Sequence, residues 1–444
     1  MTHIDTLIES CWMLPIAPQN TILKDHAVAI HEGNIIDILP ASEAKKRYDA
    51  KEHHVLTHHI VMPGLVNAHA HTAMNLFRGF ADDLALMDWL NQYIWPAEQE
   101  VLTPESTYVG TQLAAAEMLR SGVTCFNDHY FFPEASARAA ADAGMRACIG
   151  LWVGNVPTLW GTDEADYLRK ADAQLNSGFH HDLISWSMAV HGTYTIDDHG
   201  LHEAKAMADR YQLPVHMHVH ETIDELNIEA KRSGKRPIER IEDAGLLNEH
   251  LTAVHMVHLN DEDCERIKSS GCHIVTCPES NLKLGTGLPP LQMLNELTSQ
   301  LAIGTDGACS NNDLDMIGEM RTTSMVAKGE SRDATALPAP RILEMATLGG
   351  ANAMQLGHKI GSLEKGKAAD IIAINIDDLF TQPMYDCMSH LVFAANRLQV
   401  RHVWVDGKQL LKDGEFTQLS AKRIMELAEP IIEKARPMAH HYKA

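Results

Sequence analysis

Between residues 62 and 365, short apolar runs recur along the chain, each followed by a longer amphipathic stretch. Eight can be marked, ending near Asn67-Ala68-His69, Cys125-Phe126-Asn127, Gly150-Leu151-Trp152, Val190-His191, His218-Val219-His220, His255-Met256-Val257, Val275-Thr276-Cys277 and Ile303-Gly304-Thr305-Asp306. Strand-length apolar runs alternating with helical periods fold as parallel strands joined by crossover helices. Eight such units over about 300 residues suit a closed (β/α)8 TIM-like barrel better than an open sheet. In a barrel of this kind reactive side chains stand at the C-terminal ends of the strands. Several of these runs end in histidine or aspartate.

The two ends of the chain are built differently. Ala27-Val28-Ala29-Ile30 alternates, turns at Gly33-Asn34 and resumes at Ile35-Ile36-Asp37-Ile38, a hairpin pattern. Near the other end Ala369-Asp370-Ile371-Ile372-Ala373-Ile374 reads as a strand, and Val403-Trp404-Val405 runs into the tight-turn dipeptide Asp406-Gly407. The expectation is an α/β protein: a catalytic barrel over 62–365, and a small β-sandwich shared by residues 1–61 and 366–420. Ile424, Leu427, Ile431 and Ile432 recur at helical spacing, so 421–444 is expected to form a C-terminal helical segment.

Composition narrows the partners. A formal charge of −22 argues against nucleic acid and anionic membranes, which select basic surfaces. Asp5 and Glu9 interrupt the N-terminal run that a signal peptide would need, and no apolar stretch is long enough to span a bilayer. Eight cysteines lie scattered without a C-x-x-C pair, so a reduced, cytoplasmic protein is expected. The 27 histidines are the compositional oddity. Of these, His53, His54, His440 and His441 fall in polar or terminal stretches and read as surface residues.

Others fall on strand ends. His69 and His71 close the run Ile60-Val61-Met62-Pro63-Gly64-Leu65-Val66, and positions i and i+2 of a strand share a face, so both imidazoles reach one centre. The run Pro214-Val215-His216-Met217-His218-Val219-His220-Glu221 places His216, His218 and His220 on one face by the same parity. Geometry does not choose among the three. The middle residue, His218, between a deep and a rim position, is taken as the ligand. Asp306 ends the last barrel run, next to the first in a closed barrel. Three histidines and one carboxylate leave a position for water, the open arrangement of a catalytic metal site.

These same residues carry a resemblance. Pro63-Gly64-Leu65-Val66-Asn67-Ala68-His69-Ala70-His71, the His218-x-x-Glu221 pair, Ala253-Val254-His255, Gly304-Thr305-Asp306-Gly307 and Gly361-Ser362-Leu363-Glu364-Lys365-Gly366-Lys367-Ala368-Ala369-Asp370 resemble the amidohydrolase superfamily over nearly the whole chain. Within it the sequence is most similar to the 5′-methylthioadenosine/S-adenosylhomocysteine deaminases, in the group that also holds guanine deaminases and triazine chlorohydrolases. Binuclear members resemble one another in a carboxylated lysine on strand four. Here that run, Ile184-Ser185-Trp186-Ser187-Met188-Ala189-Val190-His191, has no lysine, which implies a single divalent ion. Zinc suits the imidazole-rich set, with Fe2+ or Mn2+ as alternatives.

The resemblance implies hydrolytic deamination of a 5′-substituted adenosine. It makes Asp306 the acceptor of the water's proton, His255 the stabiliser of charge at the attacked carbon, and Glu221 the proton donor to a ring nitrogen. His258 competes with His255, but their odd separation on a strand puts them on opposite faces. The segment Phe80-Ala81-Asp82-Asp83-Leu84-Ala85-Leu86-Met87-Asp88-Trp89-Leu90 and then Trp95-Pro96-Ala97-Glu98 is similar to the part that covers the ribose, with Trp89 as an apolar wall and Glu98 on two hydroxyls. His191 would contact the purine. A homo-oligomer is a further family expectation.

One departure bears on the substrate. Members that accept S-adenosylhomocysteine are expected to clamp its carboxylate with arginine, including one near the end of strand three. This chain has Ile149-Gly150-Leu151-Trp152-Val153-Gly154-Asn155-Val156 there, with Arg138, Arg146 and Arg169 nearby in sequence only. 5′-Methylthioadenosine or adenosine is therefore favoured, with Trp152 and Trp160 suited to a methylthio tail. The alternatives are a deaminase or chlorohydrolase of a free purine, pyrimidine or triazine ring, and a non-catalytic scaffold, which would have lost ligands that this chain keeps. The unrelated zinc deaminases marked by H-x-E and P-C-x-x-C are excluded, since Cys277-Pro278 has the reverse order and no second cysteine.

Overall fold

A computed structural model describes residues 1–440. Residues 441–444, with His441 and the end of the expected C-terminal segment, lie outside the described residues. The centre is a parallel eight-stranded sheet, nearly closed into a barrel, whose strands follow one another in sequence order. They are β1 (Leu65–Ala70), β2 (Val123–Asp128), β3 (Arg146–Val153), β4 (Ile184–Val190), β5 (Val215–Val219), β6 (Leu251–His255), β7 (His273–Thr276) and β8 (Leu301–Ile303). Every sequence-marked run forms one of these strands. Most of their residues are buried, the pattern of a parallel sheet covered on both faces.

Closure between β8 and β1 rests on a few specific bonds. The Asp306 N–H donates to the His69 carbonyl at 3.0 Å. Below it, the Asn67 amide spans the seam, donating to Thr305 Oγ1 at 2.7 Å and accepting from the Thr305 N–H at 3.0 Å. Gly304 permits this approach, because a Cβ there would lie 2.7 Å from the His69 nitrogen.

Helices return each strand to the next. Pro104–Arg120 begins at Thr103, whose hydroxyl accepts the Ser106 N–H, and Asp261–Ser270 begins at Asn260 in a reciprocal capping box with Asp263. These caps satisfy N–H groups that helix starts leave free.

The second sheet takes strands from both chain ends: Thr2–Met13, Leu23–His31, Asn34–Pro40, Tyr48–Pro63, Ile371–Asn375, Val400–Val405, Lys408–Lys412 and Glu415–Phe416. It curls until its two hairpin turns touch, so that a Cβ on Gly407 would stand 2.9 Å from the Gly33 Cα. Both turns have consecutive positive φ, Glu32-Gly33 and Asp406-Gly407, the type I′ geometry that matches strand twist. The helix Ala421–Ala435 then packs against Pro104–Arg120 and Trp95–Val101, where Ala435 and Ile431 join the apolar cluster of Trp89, Ile94 and Phe80. No helix among the described residues is long and apolar enough to cross a membrane.

Candidate active site

His69, His71, His218 and Asp306 meet at the C-terminal mouth of the barrel. Oδ1 of Asp306 stands 3.3 Å from His69 Nε2 and 3.2 Å from His71 Nε2. The His218 ring lies 5.0 Å from that of His69 and 5.3 Å from that of His71, centroid to centroid. The other ring nitrogen of each histidine is already engaged. His71 Nδ1 donates to the His129 carbonyl at 2.5 Å and His218 Nδ1 to the His191 carbonyl at 2.6 Å. Because a carbonyl only accepts, both rings present a bare Nε2 to the cavity. His69 Nδ1 pairs with His216 Nε2 at 2.9 Å.

His69 Nε2 is buried without a hydrogen bond. An unpaired buried ring nitrogen is costly, and imidazole nitrogens converging on a carboxylate oxygen form the donor set of a divalent ion. Ligand atoms of His69, His71 and Asp306 lie within 4.8 Å of one another, as do those of His69, His218 and His255. The residues present thus fit a metal ion. The far oxygen of Asp306, Oδ2, accepts from the hydroxyls of Ser280 at 2.6 Å and Ser310 at 2.9 Å, which turns Oδ1 toward the histidines.

Beside this set stand the two remaining polar groups expected at the site. His255 ends β6 at φ 77°, and its Nε2 is 3.8 Å from Oε1 of Glu221. Asp306 also has a positive φ, 62°. Such strained non-glycine backbone is typical of functional sites. Burial, with Asp306 nearby, pushes the Glu221 carboxyl up to about 8. His258 lies past the end of β6, beyond positive φ at His255 and Met256, and faces elsewhere, its Nε2 donating to the Thr286 carbonyl at 2.7 Å.

The segment after β1 covers the mouth. Trp89, on Leu86–Trp89, and Glu98, on Trp95–Val101, both line the cavity, and His191 lines it from the end of β4. Burial raises the Glu98 carboxyl to about 7, against the lowering effect of a bond from the Tyr130 hydroxyl. Past Glu98 and His191 the cavity continues into an apolar annex walled by Trp95, Leu102, Phe131, Trp152, Val156 and Leu159. Among the described residues, no arginine or lysine lines either part. Arg138 pairs with Glu134, Arg169 with Asp166, and Arg146 with Asp370.

Two readings are corrected. His220 does not share the face of His216 and His218: β5 stops at Val219, and a φ of 56° turns His220 outward, where it bonds the His258 carbonyl and the Ile238 N–H. Trp160 does not reach the annex but packs on Tyr167 at 5.5 Å, behind Trp152. Several cavity residues have no counterpart among the sequence expectations: His129, Tyr130, Tyr194 and Ser310. His129 is buried with neither ring nitrogen paired, 4.7 Å from the His218 ring. Its position, two residues past the Cys125-Phe126-Asn127 strand end, was the available signal.

Comparison with known proteins agrees with this architecture. The amidohydrolase family model matches residues 60–410. A 5-methylthioadenosine/S-adenosylhomocysteine deaminase of Saccharophagus degradans is 44% identical over 428 residues, covering 96% of each chain. One from Teredinibacter turnerae is 40% identical over 98% of each. The crystal structure of an adenosine deaminase from Xanthomonas campestris with bound zinc superposes with a TM-score of 0.96 at 41% identity, covering 98% of this chain and 99% of that one. With the family model spanning the barrel and its flanking strands, the chain belongs to the amidohydrolase family.

Proposed function

We propose that the chain is a zinc-dependent deaminase that hydrolyses the 6-amino group of a 5′-substituted adenosine, giving the inosine analogue and ammonia. His69, His71 and His218 through Nε2, and Asp306 through Oδ1, would hold one ion per subunit. Bound there, a divalent ion makes water a nucleophile at neutral pH.

The residues around it supply the rest. Asp306 takes up the proton that water gives as it attacks the ring carbon. Glu221, protonated at neutral pH, donates to the adjacent ring nitrogen and so makes that carbon electrophilic. His255 donates a hydrogen bond to the charge that develops at the attacked carbon. The proton held by Asp306 then goes to the departing amine, which leaves as ammonia, while the proton on the new hydroxyl passes to Glu221 as the product carbonyl forms, restoring both carboxyls. The observation that carries this reading is the 3.8 Å pairing of Glu221 with His255 beside the ligand set, which hydrolysis of a simple amide would not need.

Recognition follows from the cover and the annex. Glu98 would accept from two ribose hydroxyls and Trp89 would wall the sugar, while His191 would meet the purine. The relatives named above are deaminases of methylthioadenosine and S-adenosylhomocysteine, or of adenosine. Among the described residues the annex offers no cationic side chain for an amino-acid carboxylate, which favours 5′-methylthioadenosine or adenosine over S-adenosylhomocysteine. The test is a spectrophotometric panel on zinc-loaded enzyme with methylthioadenosine, adenosine, S-adenosylhomocysteine and guanine. The first two should give the highest kcat/KM. Absence of turnover with every adenosine derivative would overturn the proposal.

A further inference from the structure

The helix Pro278–Leu284 starts directly after β7 and contributes nothing to the ligand set, yet two consecutive side chains at its start enter the site. Ser280 donates to Asp306, and Asn281 Nδ2 lies 3.2 Å from Nδ1 of His255. All four residues are buried. An amide nitrogen only donates, so Nδ1 of His255 accepts, and the hydrogen of the neutral ring sits on Nε2.

Thr286 orients the amide. Its hydroxyl lies 3.4 Å from the Asn281 carbonyl, to which it donates, and 3.1 Å from Asn281 Nδ2, from which it accepts. Asn281 Oδ1 is buried and unpaired. Reversing the amide would bury two hydrogens without acceptors in place of that one oxygen, a worse arrangement.

His71 and His218 are held the opposite way. A backbone carbonyl on Nδ1 fixes their hydrogen there and leaves Nε2 bare for an ion. An amide donor on Nδ1 of His255 leaves Nε2 occupied. His255 is near enough to His69 and His218 to complete a second group of ligand atoms, but only with a bare Nε2.

We propose that Asn281 fixes His255 as its Nε2–H tautomer, and so acts as a positioning residue that keeps His255 a hydrogen-bond donor and excludes it from the metal's ligand set. This rests on the donor role given to His255 above, but its principal test does not depend on any substrate. In zinc-loaded full-length enzyme labelled with ¹⁵N-histidine, the His255 resonances are those that vanish in His255→Gln. They should show the Nε2-protonated pattern. Asn281→Asp, whose carboxylate accepts from Nδ1–H, should convert them to the Nδ1-protonated pattern and lower kcat by about 10- to 100-fold with KM little changed. In cobalt-substituted Asn281→Asp the freed Nε2 should alter the visible absorption spectrum of the ion. Asn281→Ala, which supplies neither donor nor acceptor, should give a mixture of tautomers and serves if the aspartate variant does not fold. A wild-type His255 with its hydrogen on Nδ1, or an unchanged tautomer in the Asn281 variants, would overturn the assignment. Loss of the substrate reading with the tautomer intact would leave it standing.

Discussion

The Tyr130 hydroxyl donates a 2.6 Å hydrogen bond to Oε1 of Glu98, joining the end of β2 to the segment that covers the cavity. Both residues are buried, so the bond works in a low dielectric and fixes which carboxylate oxygen remains for a ligand. The Glu98 carboxyl, raised to about 7, is partly ionised at neutral pH. The bond thus falls between a neutral hydrogen bond, which contributes about 0.5–1.5 kcal/mol, and a charged one, which contributes about 1.5–3 kcal/mol. Tyr130→Phe should therefore lower kcat/KM for nucleosides by about tenfold and Glu98→Ala by more. Neither should affect a free base, which offers no ribose. Steady-state kinetics with adenosine and adenine on the two variants checks this.

On the proposed mechanism Glu221 sets the alkaline limit of the reaction. Its carboxyl, pushed up to about 8 mainly by burial, must hold a proton to donate it. The kcat/KM profile should fall above about pH 8, and Glu221→Gln should be nearly inactive at every pH. Stability follows the same proton. The folded state keeps it up to about 8 while the unfolded chain releases it near the ordinary value of 4.5, so this contribution is in place below 4.5 and is lost as pH rises through 8. Glu221→Gln should consequently weaken the fall in Tm between those limits. A wild-type alkaline limb absent up to pH 10 would argue against Glu221 as the donor.

The barrel was legible because each strand carries its own signal, an apolar run and a change of period, and several add a histidine or aspartate at the end. The convergence of His69, His71 and Asp306 was legible for the same reason, since strand parity and adjacency of first and last strands bring these residues together. Parity failed at His220 because a single positive φ ended β5 one residue early. Asn281 and Tyr130 were not legible. Their meaning lies in bonds to His255 and Glu98 that only the closed barrel creates, 26 and 32 residues away along the chain.

Metal removal should cost stability as well as activity. Buried imidazoles with bare nitrogens are poorly satisfied without an ion, and an ion that binds only the folded chain stabilises it by mass action, about 4 kcal/mol at a thousand times its Kd. Chelator treatment should lower Tm, and zinc should restore it. In Asp306→Asn the restoration should be largely lost, because the amide no longer offers an anionic oxygen. Differential scanning fluorimetry with a metal titration measures both. Equal Tm for metal-free and zinc-loaded wild type would contradict a structural contribution from the ion.

The barrel and the terminal sheet are joined by a charge pair in which Arg146, at the start of β3, binds Asp370 through both Nε and Nη2 at 2.9 and 3.0 Å. Both side chains are only 2% exposed. Asp370 Oδ1 also accepts the Asp406 N–H at 2.8 Å, and Asp406 itself reaches Arg146 at 3.1 Å, so one carboxylate organises the hairpin turn as well. Removing one partner of a buried pair strands the other charge, at a cost of about 3–5 kcal/mol. Asp370→Ala should therefore destabilise the protein severely, whereas Arg146→Met combined with Asp370→Leu should recover much of the loss by removing both buried charges, with half-exposed Asp406 left to solvent. Denaturant unfolding of Arg146→Met, Asp370→Leu and the double completes the cycle. The active site lies at the opposite, C-terminal ends of the strands, so the folded fraction of each variant should keep wild-type KM, and a changed KM would show that the joint also shapes the cavity.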